Sequence, residues 1–416
     1  MKKEKINLGF IFDEILGIFF SNTEINQFQK AVAKKKVNTN KSDLTKTDRM
    51  QIEFGPNKQT EIQRNIDLLV TFASEKLSSK RFLVLIQSLG KYCITIGEFD
   101  SAIILFEKII NANKKEKNLF ILEADAFLSL SEVYRRKTQW QNSFAYVRKA
   151  SYLYKKNNDS KGLAGCLNLT GTIYGEQGNF KKAQDYFEKS LSLLEKSRDN
   201  EFKGKIEINL GIINGILGKY DDALSYFSRA LITYNKTSNL KRIAEVRHNI
   251  GQMHISTQKS QTALKEFDRS ISTSIRIGYL PTLGISYLGK SYAFALQKDY
   301  NLADAFADKA MEICHRTSDK LSIADVYKIK GIIHRDKKNY AEAENFLKTS
   351  LRINKEHGNK LNEAETLYEL GILYRNIGST TKSKAMFNEA LNYFRSLKAS
   401  EKLKEIKGQI AILSAA

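Results

Sequence analysis

Residues 284–291, GISYLGKS, carry the full GxxxxGK[ST] pattern of a phosphate-binding loop. Such a loop needs a buried strand before it and a helix after it, so that backbone amides and the lysine can cradle phosphates. The preceding run, SIRIGYLPTL, is no strand, and its Pro281 suits a helix start. Nucleotide chemistry is therefore not expected here. The five histidines, His248, His254, His315, His334 and His357, fall in no Ser–His–Asp order, HExxH motif or metal-ligand spacing. Cys93, Cys166 and Cys314 are odd in number and lack a CxxC pair, which fits reduced, buried thiols of a cytoplasmic protein. With no convergent acid, base, nucleophile or ligand set, no enzyme, cofactor or metal is expected.

The 416 residues include only two prolines, Pro56 and Pro281, which suits an almost wholly helical chain. Net charge is +21, from 67 Lys and Arg against 46 Asp and Glu. That balance fits an acidic partner such as nucleic acid, an anionic membrane surface or an acidic protein. Asn-rich, Pro-poor usage equally fits a compositional origin. No run of eighteen apolar residues occurs. The opening MKKEKINLGFIFDEILGIFF imitates a signal peptide, but Asp13 and Glu14 interrupt it and no small-x-small site follows closely. Ile11, Ile15 and Ile18 with Phe12 and Phe19 form one helical face, read as a docking helix. The alternative is membrane contact through residues 1–20, helped by Lys2, Lys3 and Lys5.

The expected organisation is an amphipathic helical segment over 1–33 and a flexible linker over 34–59. A capping helix or half repeat over 60–80, eight repeats over 81–395 and a C-terminal capping helix over 396–416 follow. The repeats rest on a small anchor residue: Gly90, Ser131, Gly171, Gly211, Gly251, Ser291, Gly331 and Gly371, spaced by 41 and then by 40. Three places on lies a packing residue, as in Tyr134, Tyr174, His254, His334 and Tyr374. Twelve on, the residue is again small: Ala102, Ser143, Ala183, Ala223, Ala263, Ala303, Ala343 and Ser383. Sixteen on, it is usually large: Phe106, Val147, Phe187, Phe227, Phe267, Ala307, Leu347 and Phe387. Small residues belong where two helix axes cross closely. The large residue is expected to fill the space between one hairpin and the next. Gly97, Gly178, Gly218 and Gly378 suit left-handed helix ends, whereas Lys298-Asp299 and Lys338-Asn339 are polar turns.

This pattern resembles the tetratricopeptide repeat over about residues 83–393. The forty-residue period, longer than the common 34 and without a terminal proline, is similar to kinesin light chains, Pins-type adaptors and Rap-type bacterial peptide sensors. The resemblance implies an all-α, right-handed superhelical solenoid of about eight helical hairpins with capping helices. It also implies a concave groove lined by first helices, and a non-enzymatic interaction scaffold binding a peptide or helix of a partner, with a peptide-responsive regulator as a variant.

In family members that grip extended peptides, an Asn two places before the anchor bonds the ligand backbone. Asn209 and Asn249 hold that position, and Asn168 lies one place earlier in its helix. An amide offers an acceptor and two donors to a peptide group. The remaining expected groove residues are Ile208, Ile212, His248, Gln252, Tyr292, Lys328 and Arg335. An apolar centre with basic ends points to an acidic or amphipathic protein or peptide ligand. Nucleic acid is the alternative partner, disfavoured because Asp125, Glu132, Glu176, Glu245, Asp325, Asp336 and Glu365 would repel phosphate. Oligomeric state is not legible.

Overall fold

A computed structural model describes residues 10–39, 61–113, 119–195, 199–317, 319–397 and 399–415. Two compact units divide the chain, Met1–Leu169 and Thr170–Ala416. Among the described residues there are twenty helices and no strand. The first unit contains α1 (Phe10–Phe19), α2 (Asn22–Thr39), α3 (Glu61–Lys76), α4 (Ser79–Ile96), α5 (Phe99–Asn113), α6 (Phe120–Arg136) and α7 (Trp140–Lys156). The boundary falls within α8 (Ser160–Glu176). The second unit continues with α9 (Phe180–Leu193), α10 (Asn200–Ile216), α11 (Tyr220–Lys236), α12 (Leu240–Ser256), α13 (Ser260–Arg276) and α14 (Leu280–Leu296). It ends with α15 (Tyr300–Arg316), α16 (Lys320–Asp336), α17 (Tyr340–Glu356), α18 (Lys360–Asn376), α19 (Thr380–Leu397) and α20 (Ser400–Ala415).

The period has a simple local origin. Helices such as α10, α11, α12 and α13 are each 17 residues long. Three residues join one to the next, and the middle one is left-handed. Gly178 has φ +77°; its N–H donates to the Gly175 carbonyl (2.9 Å), and the Asn179 N–H donates to that of Tyr174 (2.8 Å). This pair of bonds satisfies carbonyls that the helix end would otherwise leave open. The same conformation recurs at Thr138, Asn158, Ser238, Gln258, Lys298 and Lys338, where no glycine eases it. Asn179, Asp199, Asn239, Asp299, Asp319 and Asn359 then open the next helix, each accepting from the backbone N–H three residues on. Two such modules make one forty-residue hairpin.

The helix crossings are closer than a side chain allows. A β-carbon on Gly211 would lie 2.6 Å from the Phe227 ring, and one on Gly371 would lie 2.6 Å from Phe387. Where the anchor is serine, its hydroxyl donates to the backbone across the crossing: Ser291 to the Ala303 carbonyl at 2.7 Å, Ser131 to that of Ser143 at 2.9 Å. The residue sixteen on therefore packs first against its own anchor, and not only between hairpins as its spacing suggested. Phe267 does both, pressing on Gly251 and on Gly289 of the next hairpin. The phosphate-loop look-alike 284–291 lies wholly inside α14, with the Lys290 ammonium 2.5 Å from Asp268.

In the first unit, α1 buries Phe12, Ile15, Leu16 and Phe19, and Phe12 meets Tyr92 of α4 edge-on at 5.6 Å. Arg81 donates to the Ile18 and Phe19 carbonyls (3.3 and 3.0 Å), a cation at the negative end of the α1 dipole. Ser21 and Glu24 form a reciprocal capping box that opens α2. The hydrogen bonds from Ser21 hold the Glu24 carboxyl below its ordinary range. Among the α1 side chains described, Ile18 is left exposed, and the side chain of Ile11 lies outside them; membrane contact through the Phe12–Phe19 face would require α1 to undock. Helix α2 extends to Thr39, into the stretch expected as linker; residues 40–60, and Lys2, Lys3 and Lys5, lie outside the described residues. Among the described residues no helix is long and apolar enough to cross a membrane.

Candidate binding site

Within Thr170–Ala416, a cavity of about 290 Å³ opens on the first-helix side. One wall comes from α10 and α12 and the turn after α10: Ile212, Gly215, Ile216, Tyr220, Asn249, Gln252, Met253 and Ser256. The other comes from the end of the chain: Leu361 and Glu365 of α18, Phe394 of α19, then Ala399, Glu401 and Lys402. Asn249 and Gln252 are three residues apart on α12 and so share a face. Both are half-buried, which leaves their amides able to meet a ligand. Ile212 is 40% exposed and forms an apolar floor beside them.

Of the residues expected from sequence, Ile212, Asn249 and Gln252 thus come together. Asn209 is half-buried on α10 but does not line the cavity. Asn168 is buried on α8 in the other unit. Ile208 is a core residue, packed with Phe227, Tyr234 and Val246, because its place on α10 faces the following hairpin. His248 is likewise core. Its ring lies 5.6 Å from that of Phe267, and Nδ1 is 3.3 Å from the Ser286 hydroxyl. Burial lowers its pKa to about 4, so it is neutral near pH 7. Tyr292 is half-buried, and burial, with the Glu369 carboxylate nearby, raises its phenol to about 12.

The expected basic ends are neutralised. Lys328 Nζ stands 2.6 Å from Glu365 and 3.2 Å from Asp325. Burial alone would raise the Glu365 pKa, but the Lys328 ammonium outweighs it and holds the carboxyl below its ordinary range. Burial opposes the charge on Lys328, yet the two carboxylates drive its pKa upward. Arg335, only 8% exposed, donates to Asp336 at 2.8 Å and to Glu369 at 2.5 Å. Glu365 and Glu369 sit in the next hairpin, 37 residues on from Lys328 and 34 on from Arg335. A search for opposite charges one period on, less one or two helical turns, would have found them.

The C-terminal wall is what sequence reasoning missed. Helix α20 lies beside α18 as the first helix of a ninth hairpin would: Tyr368 donates to Glu405 at 2.8 Å, and Arg375 donates to Gln409. Its first turn, Glu401 and Lys402, is thereby carried to the cavity. Among the described residues no group of three or more His, Cys, Asp or Glu is arranged to hold a metal ion. The three cysteines are buried, and burial raises their thiols to about 12, 12 and 11 for Cys93, Cys166 and Cys314.

Paired antiparallel helices, a forty-residue period and small-residue crossings define a helical-hairpin solenoid. Residues 122–196, 282–356 and 322–396 match the tetratricopeptide repeat family, and the chain carries tetratricopeptide repeats there. No curated protein matches it by sequence. Similar solved structures include the Rap conjugation gene regulator of plasmid pLS20 in complex with the Phr* peptide. Identity is 17%, 91% of this chain and 97% of that one are covered, and the TM-score is 0.58. The apo form of the quorum sensor NprR from B. thuringiensis shares 13% identity over 92% of this chain and 100% of its own, with a TM-score of 0.57. Aspartyl phosphate phosphatase F from Bacillus subtilis shares 21% identity over 82% and 86%, with a TM-score of 0.52. At such identities the likeness is one of fold.

Proposed function

We propose that the second unit binds a short peptide of a protein or signalling partner in the cavity between α12 and the chain's end, as a cytoplasmic, non-enzymatic scaffold. One observation carries this reading: the half-buried amides of Asn249 and Gln252 stand together on an apolar floor inside one cavity. Paired amides suit the donors and acceptors of a peptide backbone, and Ile212, Met253 and Phe394 suit apolar side chains. The peptide-bound Rap regulator of similar fold supports it. The ligand is amphipathic and not simply acidic, since Lys328 and Arg335 are already paired and Glu401 adds a carboxylate to the cavity wall. A regulatory role follows if occupancy changes how the unit presents itself to a second partner.

The test is selection of a random heptapeptide library on wild-type protein and on the Asn249→Ala/Gln252→Ala variant. Wild type should enrich a defined pool, and the variant should recover it at least tenfold less well. Equal recovery by the two proteins would overturn the assignment of the cavity.

A further inference from the structure

The second unit meets itself. A β-carbon built on Gly178 would stand 3.3 Å from Leu397 Cδ2 and 3.8 Å from Tyr393 Oη; one on Gly218 would stand 3.2 Å from Glu401 Cγ. The other left-handed turn glycines, Gly97, Gly278, Gly358 and Gly378, have nothing within 4 Å. Among the glycine turns, close approach to the chain's end is thus found at 178 and 218. Side-chain tips there rest on bare backbone. Among the described residues no hydrogen bond or ion pair joins 177–179 or 217–219 to 393–402. The other side of the same C-terminal segment is tied down, by Tyr368 to Glu405 and Arg375 to Gln409.

A solenoid is held by neighbour-to-neighbour interfaces, so small changes of angle at each hairpin add up at its ends. This seam is where those changes would accumulate, and among the described residues no hydrogen bond or ion pair fastens its two turns to the chain's end. The seam also runs through the cavity: Ile212, Asn249 and Gln252 lie on one side, and Phe394, Glu401 and Lys402 on the other. We propose that the seam opens and closes in solution and gates the cavity, admitting ligand when open and retaining it when closed. The gating half of this statement rests on the peptide-binding reading above; the opening of the seam does not.

Two measurements on the full chain test it. Spin labels at Lys219→Cys and Lys404→Cys, both exposed positions, report the distance across the seam without any ligand. The native thiols are buried, which protects them from the label. Two distance populations are expected; a single narrow one overturns the proposal. Second, the Gly218→Cys/Glu401→Cys variant places β-carbons about 3.5 Å apart, within disulfide reach. The left-handed backbone at 218 tolerates a side chain, as Ser238 and Gln258 show at equivalent turns. The probe is the heptapeptide pool enriched by wild-type protein. Pool added before oxidation should be retained through washing, and pool added after it should be captured at least tenfold less, with dithiothreitol removing the difference. Capture that ignores the order of addition overturns the gate. If wild type enriches no pool, the peptide reading fails, and the spin-label distances decide the seam alone.

Discussion

In the hairpin of α12 and α13, Gly251 faces Phe267; in the next hairpin, α14 and α15, the same two places are held by Ser291 and Ala307. The first crossing is filled by a ring, with a β-carbon on Gly251 only 2.6 Å from it. The second is filled by a hydroxyl, which donates to the Ala303 carbonyl at 2.7 Å. The exchange is reciprocal along the chain. Gly90, Gly171, Gly211, Gly331 and Gly371 face Phe106, Phe187, Phe227, Leu347 and Phe387, whereas Ser131 is paired with Val147. A glycine anchor goes with a large residue sixteen places on and a serine anchor with a smaller one, so the volume at the crossing is shared between the two positions. Interiors packed to crystal density leave no other way to change one of the two.

The largest expected effect comes from emptying the ring-filled crossing. Phe267 is fully buried against Gly251 and Gly289, so Phe267→Ala should lose about 3–5 kcal/mol in urea denaturation. Ala307→Gly at the serine crossing should lose far less, about 1 kcal/mol, mostly from helix propensity. Equal losses would show that the two crossings do not differ as described.

The two hairpins also differ three places before the anchor, where one has His248 and the other Leu288, both buried. Burial depresses the imidazole to about 4 from 6.5, so the unfolded chain takes up the proton first as pH falls. Stability is therefore unaffected above about pH 6.5 and declines between there and pH 4, by up to about 3 kcal/mol. His248→Leu should flatten that part of the pH–stability curve while leaving the rest in place. An unchanged slope between pH 6.5 and 4.5 would mean that the ring is not held neutral by the core.

Swapping the two solutions sharpens the comparison further. Ala307→Phe alone should overpack the crossing at Ser291 and lose about 1–3 kcal/mol. Adding Ser291→Gly should recover most of that loss in thermal melts, since it rebuilds the arrangement seen at 251 and 267. Additive losses in the double variant would rule out volume sharing between the two positions.

These packing devices were legible because they are local. Gly251, Ala263 and Phe267 lie within one hairpin, and the same spacing appears eight times. The cavity was only half legible. Asn249, Gln252 and Ile212 follow from the first-helix register, but Glu401 and Lys402 arrive there only through the summed rotation of several hairpins, which no local pattern encodes. His248 and Ile208 were misplaced because residue type does not say which side of a first helix faces the next hairpin. Lys328 and Arg335 looked free because Glu365 and Glu369 belong to the following repeat.

The smallest effect concerns the turns, where the same left-handed backbone is met with and without glycine. Lys298 and Lys338 hold φ +64°, close to Gly278 at +65° and Gly358 at +66°. A β-carbon strains that conformation, by roughly 1–2 kcal/mol for an ordinary residue. Glycine relieves the strain but gives the unfolded chain more freedom, which offsets part of the gain. Lys338→Gly should therefore raise stability by about 0.5–1 kcal/mol, and Gly358→Lys should lower it by a similar amount in thermal melts. Both turns are exposed, so neither change disturbs the core. A loss of stability in Lys338→Gly would show that the lysine side chain contributes more at its turn than the backbone strain removes.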